Sequence, residues 1–85
     1  MVTDQEKFFA ALGMRIRRLR ESSGYSQEDM ISHGFSARHW QQIEKGRPIT
    51  LTTLLRICEV FRTPMARLVR GLDSHIQARS GGVHM

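Results

Sequence analysis

Apolar side chains recur along this chain at the spacing of helices. Phe9, Leu12, Ile16 and Leu19 form one stripe, and Leu51, Leu54, Ile57, Cys58 and Phe61 form another. No stretch alternates apolar and polar residues with β-branched enrichment over a strand's length. Between the stripes stand start and stop signals. Thr3-Asp4-Gln5-Glu6 offers a capping start for a first helix, and Ser22-Ser23-Gly24 ends it. Ser26 caps a short second helix through about His33, with Asp29 at the capping-box position, and Gly34 closes it. Ser36 caps a third helix to about Lys45, closed by Gly46. Thr50 caps a fourth, and Thr63-Pro64 begins a fifth with Pro64 at its first helical position. Met65, Leu68 and Val69 supply that helix's apolar residues. The prediction is an all-α, compact five-helix bundle spanning residues 1–72. The polar, Gly-rich segment 73–85 reads as a disordered C-terminal tail.

The third helix has two faces. At ~100° per residue, Trp40, Ile43 and the stem of Glu44 fall on one side. Arg38, Gln41, Gln42 and Lys45 fall on the other. The apolar side anchors the segment, and the polar side presents donors and acceptors on a rigid rod. The DNA major groove, ~12 Å wide, admits one such helix, where Arg pairs with guanine and Gln with adenine through two bonds each. Those paired bonds need a helix that does not roll, and a buried indole behind it resists rolling.

Length and charge agree with that reading. The chain has 85 residues, enough for one domain. Its formal net charge is +5, and eleven of its thirteen basic residues are Arg. That balance favours polyanionic partners, nucleic acid before an anionic membrane surface. One cysteine, Cys58, cannot form an internal disulfide and fits a reducing, cytoplasmic setting. No apolar run is long enough to span a membrane, and no secretory leader pattern opens the chain. His33, His39, His75 and His84 show no metal-ligand spacing with one another or with Cys58. No cofactor, small-molecule ligand or catalytic set is indicated, and the five Met residues read as core filler.

Residues 12–69 resemble the helix-turn-helix family of phage repressors, Cro proteins and their bacterial relatives, the xenobiotic-response-element-like regulators. The pieces occur in order. Leu12-Gly13 with Ile16-Arg17-Arg18-Leu19-Arg20 resembles the first helix, and Tyr25-Ser26-Gln27-Glu28-Asp29-Met30 the start of the second. Gly34-Phe35-Ser36 and Ile43-Glu44-Lys45-Gly46 resemble the turn and the end of the recognition helix. Leu54-Leu55-Arg56-Ile57-Cys58 with Phe61, then Met65 with Leu68-Val69, resemble the last two helices.

The resemblance implies a lambda-repressor-like fold and residue roles. Ala37, Arg38 and Gln42 match base-reading positions, with Gln41 next to them. Ser26, Gln27, His39, Lys45, Arg47 and Thr50 match phosphate contacts, and Gln27 also braces the recognition helix. Arg20 and Glu44 match an ion pair that locks first helix to recognition helix, with Trp40 and Ile43 as structural support. Arg17 and Arg18 read as solubilising charge. Arg56, Arg62, Arg67 and Arg70 read as serving solubility or a partner chain. One recognition helix reads few base pairs, so the expected form is a homodimer on double-stranded DNA, with half-sites about 34 Å apart. Phe61, Met65, Leu68 and Val69, with Leu72 beside them, are the expected dimer surface. One departure stands out: Gln27 to Gly34 is seven residues, one fewer than the family's usual spacing. The functional expectation is a non-enzymatic, sequence-specific transcriptional regulator. A restriction–modification controller, a phage-type repressor and an antitoxin stay open within it. The alternative class is a protein-interaction or antitoxin module using the same fold with little DNA binding.

Overall fold

The computed structural model describes residues 4–72. Thr3 and the segment 73–85, including His75 and His84, lie outside the described residues. Five helices follow one another: α1 (Asp4–Ser22), α2 (Gln27–Ser32), α3 (Ala37–Glu44), α4 (Leu51–Phe61) and α5 (Met65–Leu68). Among the described residues there is no strand, so the all-α, five-helix expectation holds.

Local sequence sets the helix boundaries. Ser26, Ser36 and Thr50 each accept the amide three residues on, those of Asp29, His39 and Thr53. The Asp29 carboxylate returns a bond to the Ser26 amide at 2.7 Å, completing the box. That bond, with the Ser26 hydroxyl beside it, holds the Asp29 carboxyl below its usual range. At the other ends, α1, α2 and α3 close through two back-reaching amides each. In α2, Phe35 bonds the Met30 carbonyl and Gly34 that of Ile31. Phe35 and Met30 are both buried, the apolar contact expected of such a close. Phe35 then packs edge-on against Trp40, ring centroids 5.1 Å apart, stapling the start of α3. The seven-residue spacing is thus absorbed by a fully hydrogen-bonded turn.

The start of α5 differs from expectation. Pro64 is its N-cap, in extended backbone, and Met65 is the first helical residue. The Thr63 hydroxyl bonds the Phe61 carbonyl and does not cap the helix.

One core joins the helices: Leu12 and Ile16 of α1, Met30, Phe35, Trp40 and Ile43, then Leu54, Ile57, Cys58, Leu68 and Leu72. α3 packs on α1 and α2, and α5 packs on α1 and α4. Gly13 allows the first of these contacts. A Cβ at Gly13 would stand 2.7 Å from the Ile43 carbonyl and 2.9 Å from that of Glu44. Gly46 (φ 93) closes α3 with a left-handed backbone and approaches Ala10 just as tightly. Backbone therefore meets backbone where α1 crosses the end of α3.

Three apolar expectations need correction. Leu51 is 66 % exposed, because the first turn of α4 projects past the core. Met14 is 54 % exposed on the outer side of α1, so core filling falls to Met30, with Met65 half-buried. Leu68 is 2 % exposed and Leu72 8 %, since the short α5 turns them inward against α1 and α4; neither can serve a dimer surface.

Candidate nucleic-acid interface

The face opposite the core of α3 is polar and unpaired. Ala37, Arg38, Gln41 and Lys45 are exposed, and Gln42 is half-buried. Among the described residues, the side chains of Arg38, Gln41, Gln42, Lys45 and Arg47 have no hydrogen-bond or ion-pair partner. Trp40 and Ile43, on the other face, are 0 % and 1 % exposed. A helix held so firmly from behind presents its free donors in fixed directions.

What holds it is a buried polar network centred on Glu44. The Glu44 Oε2 atom accepts from Arg20 Nε at 2.6 Å and from Trp40 Nε1 at 2.6 Å. Its Oε1 accepts from Arg20 Nη2 and from the Gln27 amide, each at 3.2 Å. Arg20 also donates through Nη1 to the Tyr25 carbonyl at 2.8 Å. One carboxylate therefore ties α1, the start of α2, and α3's own indole into a single frame. The bidentate guanidinium–carboxylate geometry fixes orientation as well as distance. No buried side-chain nitrogen or oxygen among the described residues lacks a partner.

That frame is sensitive to acid. Burial, the largest single effect, pushes the Glu44 carboxyl up. The hydrogen bonds from Arg20, Gln27 and Trp40, with the charge of Arg20, outweigh it and hold the group below its ordinary value. A carboxyl depressed on folding stabilises the fold fully above its unfolded pKa, ~4.3. The contribution is lost as pH falls through the lower, folded value. Thermal melts of the wild type should therefore fall off below about pH 4.3 more steeply than those of Glu44→Gln. Parallel curves would mean that this carboxylate is not the acid-sensitive group.

The flanking polar residues differ in what they leave free. The Ser26 hydroxyl accepts the Asp29 amide and also bonds the Asp29 carboxylate, so both its roles are taken within the capping box. The Gln27 amide gives one N–H to Glu44 and keeps a second. The Thr50 hydroxyl accepts the Thr53 amide and donates to Thr53 Oγ1, both at 3.1 Å. What α4 offers an anion is then chiefly its first free amides. His39 is half-buried, its ring tilted against Phe35 with centroids 6.2 Å apart. Arg47 is exposed after Gly46.

Sequence reasoning missed two arginines. Arg56 was assigned to solubility or a partner chain. It lies instead 4.4 Å over the Phe35 ring and donates to the Gly34 carbonyl at 3.2 Å. It clamps α4 to the turn between α2 and α3. Arg15 donates to the carbonyls of Leu68 and Arg70, at 3.1 and 2.6 Å, closing the end of α5. Both roles depend on residues distant in sequence, so no local signal could have revealed them.

A family model described as a helix-turn-helix domain matches residues 11–71. The chain belongs to the helix-turn-helix domain family. In this helix-turn-helix domain α2 and α3 are the paired helices, and the Glu44 network sets the second against the first. The family is one of DNA-binding domains, so the free polar face of α3 is the candidate interface. No curated protein and no solved structure matches the chain. No helix among the described residues is long and apolar enough to cross a membrane, and none of their His, Cys, Asp and Glu side chains form a metal-binding group. Burial pushes the Cys58 thiol up, the reverse of what a nucleophile needs.

The expected dimer residues do not share one surface. Met65 and Val69 line an apolar groove of about 450 Å³ with Phe8, Phe9, Ile49 and Leu51. Phe61 opens onto other clefts, near Tyr25 and Arg62.

Proposed function

We propose that this helix-turn-helix domain is a sequence-specific, DNA-binding transcriptional regulator of the phage repressor and Cro type. It acts as a homodimer on an inverted repeat and carries no catalytic activity. The observation that carries the reading is the two-sidedness of α3. Trp40 and Ile43 are sealed in the core while Arg38, Gln41 and Gln42 stand unpaired on the far side. In this reading Ala37, Arg38, Gln41 and Gln42 meet base edges. Ser26, Gln27, His39, Lys45, Arg47 and Thr50 hold phosphates. The homodimer pairs through the apolar groove of Met65 and Val69, where Leu51 supplies exposed apolar surface.

Selecting bound duplexes from a random library tests specificity and two-fold symmetry together. An enriched inverted repeat is the expected outcome, and an unenriched pool would refute the reading. The seven-residue spacing from Gln27 to Gly34 favours a second reading, a protein-interaction or antitoxin module. Salt separates the two. A DNA binder with about six phosphate contacts loses on the order of 10³-fold affinity between 50 and 200 mM salt, whereas an interaction module binds duplex weakly at both.

The roles within α3 are separable as well. Arg38→Ala should cost about 1–3 kcal/mol on the selected site and relax one base preference. Lys45→Ala should weaken all duplexes alike and reduce the salt dependence. Competition binding with single-base variants of the site distinguishes the two. Equal losses on every duplex from both variants would refute this division.

A further inference from the structure

Among the described residues, Arg62 is the one non-glycine with a left-handed backbone, at φ 51. α4 closes there with the same pair of back-reaching amides that close α1, α2 and α3: Thr63 to the Cys58 carbonyl, and Arg62 to that of Glu59. The other three closures use Gly24, Gly34 and Gly46. A Cβ in this conformation crowds the following carbonyl, a strain that glycine avoids. Strain of this kind, kept where a better residue exists, marks places where the side chain is needed.

Arg62 stands on a ridge between two clefts. The first, about 580 Å³, has an aromatic wall. Tyr25 stacks on His33 with centroids 5.6 Å apart and lies 5.5 Å from the Phe61 ring. Glu59 also lines it. The second, about 320 Å³, is lined by Phe61, Arg62, Arg67 and Arg15. Each volume falls in the ~300–1,000 Å³ range of small-ligand sites. Arg15 is fixed by its bonds to the Leu68 and Arg70 carbonyls. The side chains of Glu59, Arg62 and Arg67 have no partner among the described residues. The pair of clefts is therefore polarised, with a lone carboxylate beside an aromatic wall and unpaired guanidiniums next door.

We propose that the joined clefts bind a guanine nucleotide carrying at least two phosphates. The base lies against the wall of Tyr25, His33 and Phe61, where any planar ring gains by stacking. The Glu59 carboxylate accepts from the ring N1–H and the exocyclic amine of guanine, two donors on neighbouring atoms. Adenine has no such pair, because its N1 is an acceptor. The phosphates lie on Arg62 and Arg67, with the charge of Arg15 behind them, since guanidinium forks suit phosphate oxygens. Glu59 repels phosphate from the aromatic cleft, so the ligand has one orientation. The site uses Arg15 within α1, the ends of α2 and α4, and α5, and none of the polar face of α3, so it does not rest on the DNA reading.

Calorimetric titration of the full chain with GDP, ADP and inorganic pyrophosphate tests this. GDP should bind at least about tenfold tighter than either of the others, because a lost bond to a charged group is worth about that factor. Glu59→Gln should remove the preference for GDP over ADP. Arg62→Gly should weaken GDP about tenfold while raising Tm, since it relieves the backbone. A residue kept only for the fold would not combine those two changes. Absence of GDP binding to the wild type, equal binding of the three ligands, or full GDP affinity in Arg62→Gly would each overturn the proposal.

Discussion

Replacing Glu44 with Ala should destabilise the domain by about 3–5 kcal/mol, the cost of stranding a buried charge. Arg20 is 8 % exposed and has Glu44 as its only ion-pair partner among the described residues. Truncation also leaves the Trp40 Nε1–H without its 2.6 Å acceptor. Domains of this size have total stabilities of about 5–15 kcal/mol, so such a loss brings the fold close to its limit. Urea unfolding followed by circular dichroism gives the number, provided that the slope of the transition is unchanged. Removing both charges, with Arg20→Met and Glu44→Met together, should restore a good part of the loss, because apolar replacements of a buried pair are often neutral. If the double variant is no more stable than Glu44→Ala, the loss lies in packing and the unpaired Trp40 Nε1–H and not in the stranded charge.

Trp40→Ala should cost a similar amount, about 3–5 kcal/mol, for a different reason. The indole is 0 % exposed, packs edge-on against Phe35, and is the largest fully buried side chain in the core. Its removal opens a cavity between α3 and the body of the domain. Trp40→Phe separates the two contributions. It keeps most of the apolar volume and loses the bond to Glu44, which should cost about 1–3 kcal/mol. On the selected duplex, Trp40→Ala should weaken specific binding more than binding to random DNA, since the loosened α3 no longer holds paired bonds at one angle. Equal losses on both duplexes would place the role of the indole in stability alone.

Much of the fold was legible in the sequence because its signals are local. Ser26, Ser36 and Thr50 cap from within three residues, and Gly24, Gly34 and Gly46 close helices from their own last turns. The two faces of α3 followed from periodicity, because the helix meets the core along one side only. The stripe of α4 was read less well: periodicity gives direction around an axis but not where along the axis the core ends, so Leu51 was placed inside. Leu68 was placed on the dimer surface for a related reason. α5 has four residues, too few for a spacing argument to separate a buried Leu68 from a half-buried Met65.

By itself the sequence determined an all-α chain of short helices with set boundaries, a basic balance, and an anchored helix with a free polar face. Capping, periodicity and net charge depend on near neighbours or on totals, so they need no fold. Only the tertiary structure decided what the remaining residues do. Gly13 is required because the carbonyls of Ile43 and Glu44 cross 30 residues later in the chain. Arg56 clamps the turn, Arg15 closes α5, and Arg62 stands between two clefts, each through partners from other helices. An arginine's reach and charge are the same wherever it stands in a sequence. Its role is set by which carbonyl, ring or empty space the folded chain brings within that reach.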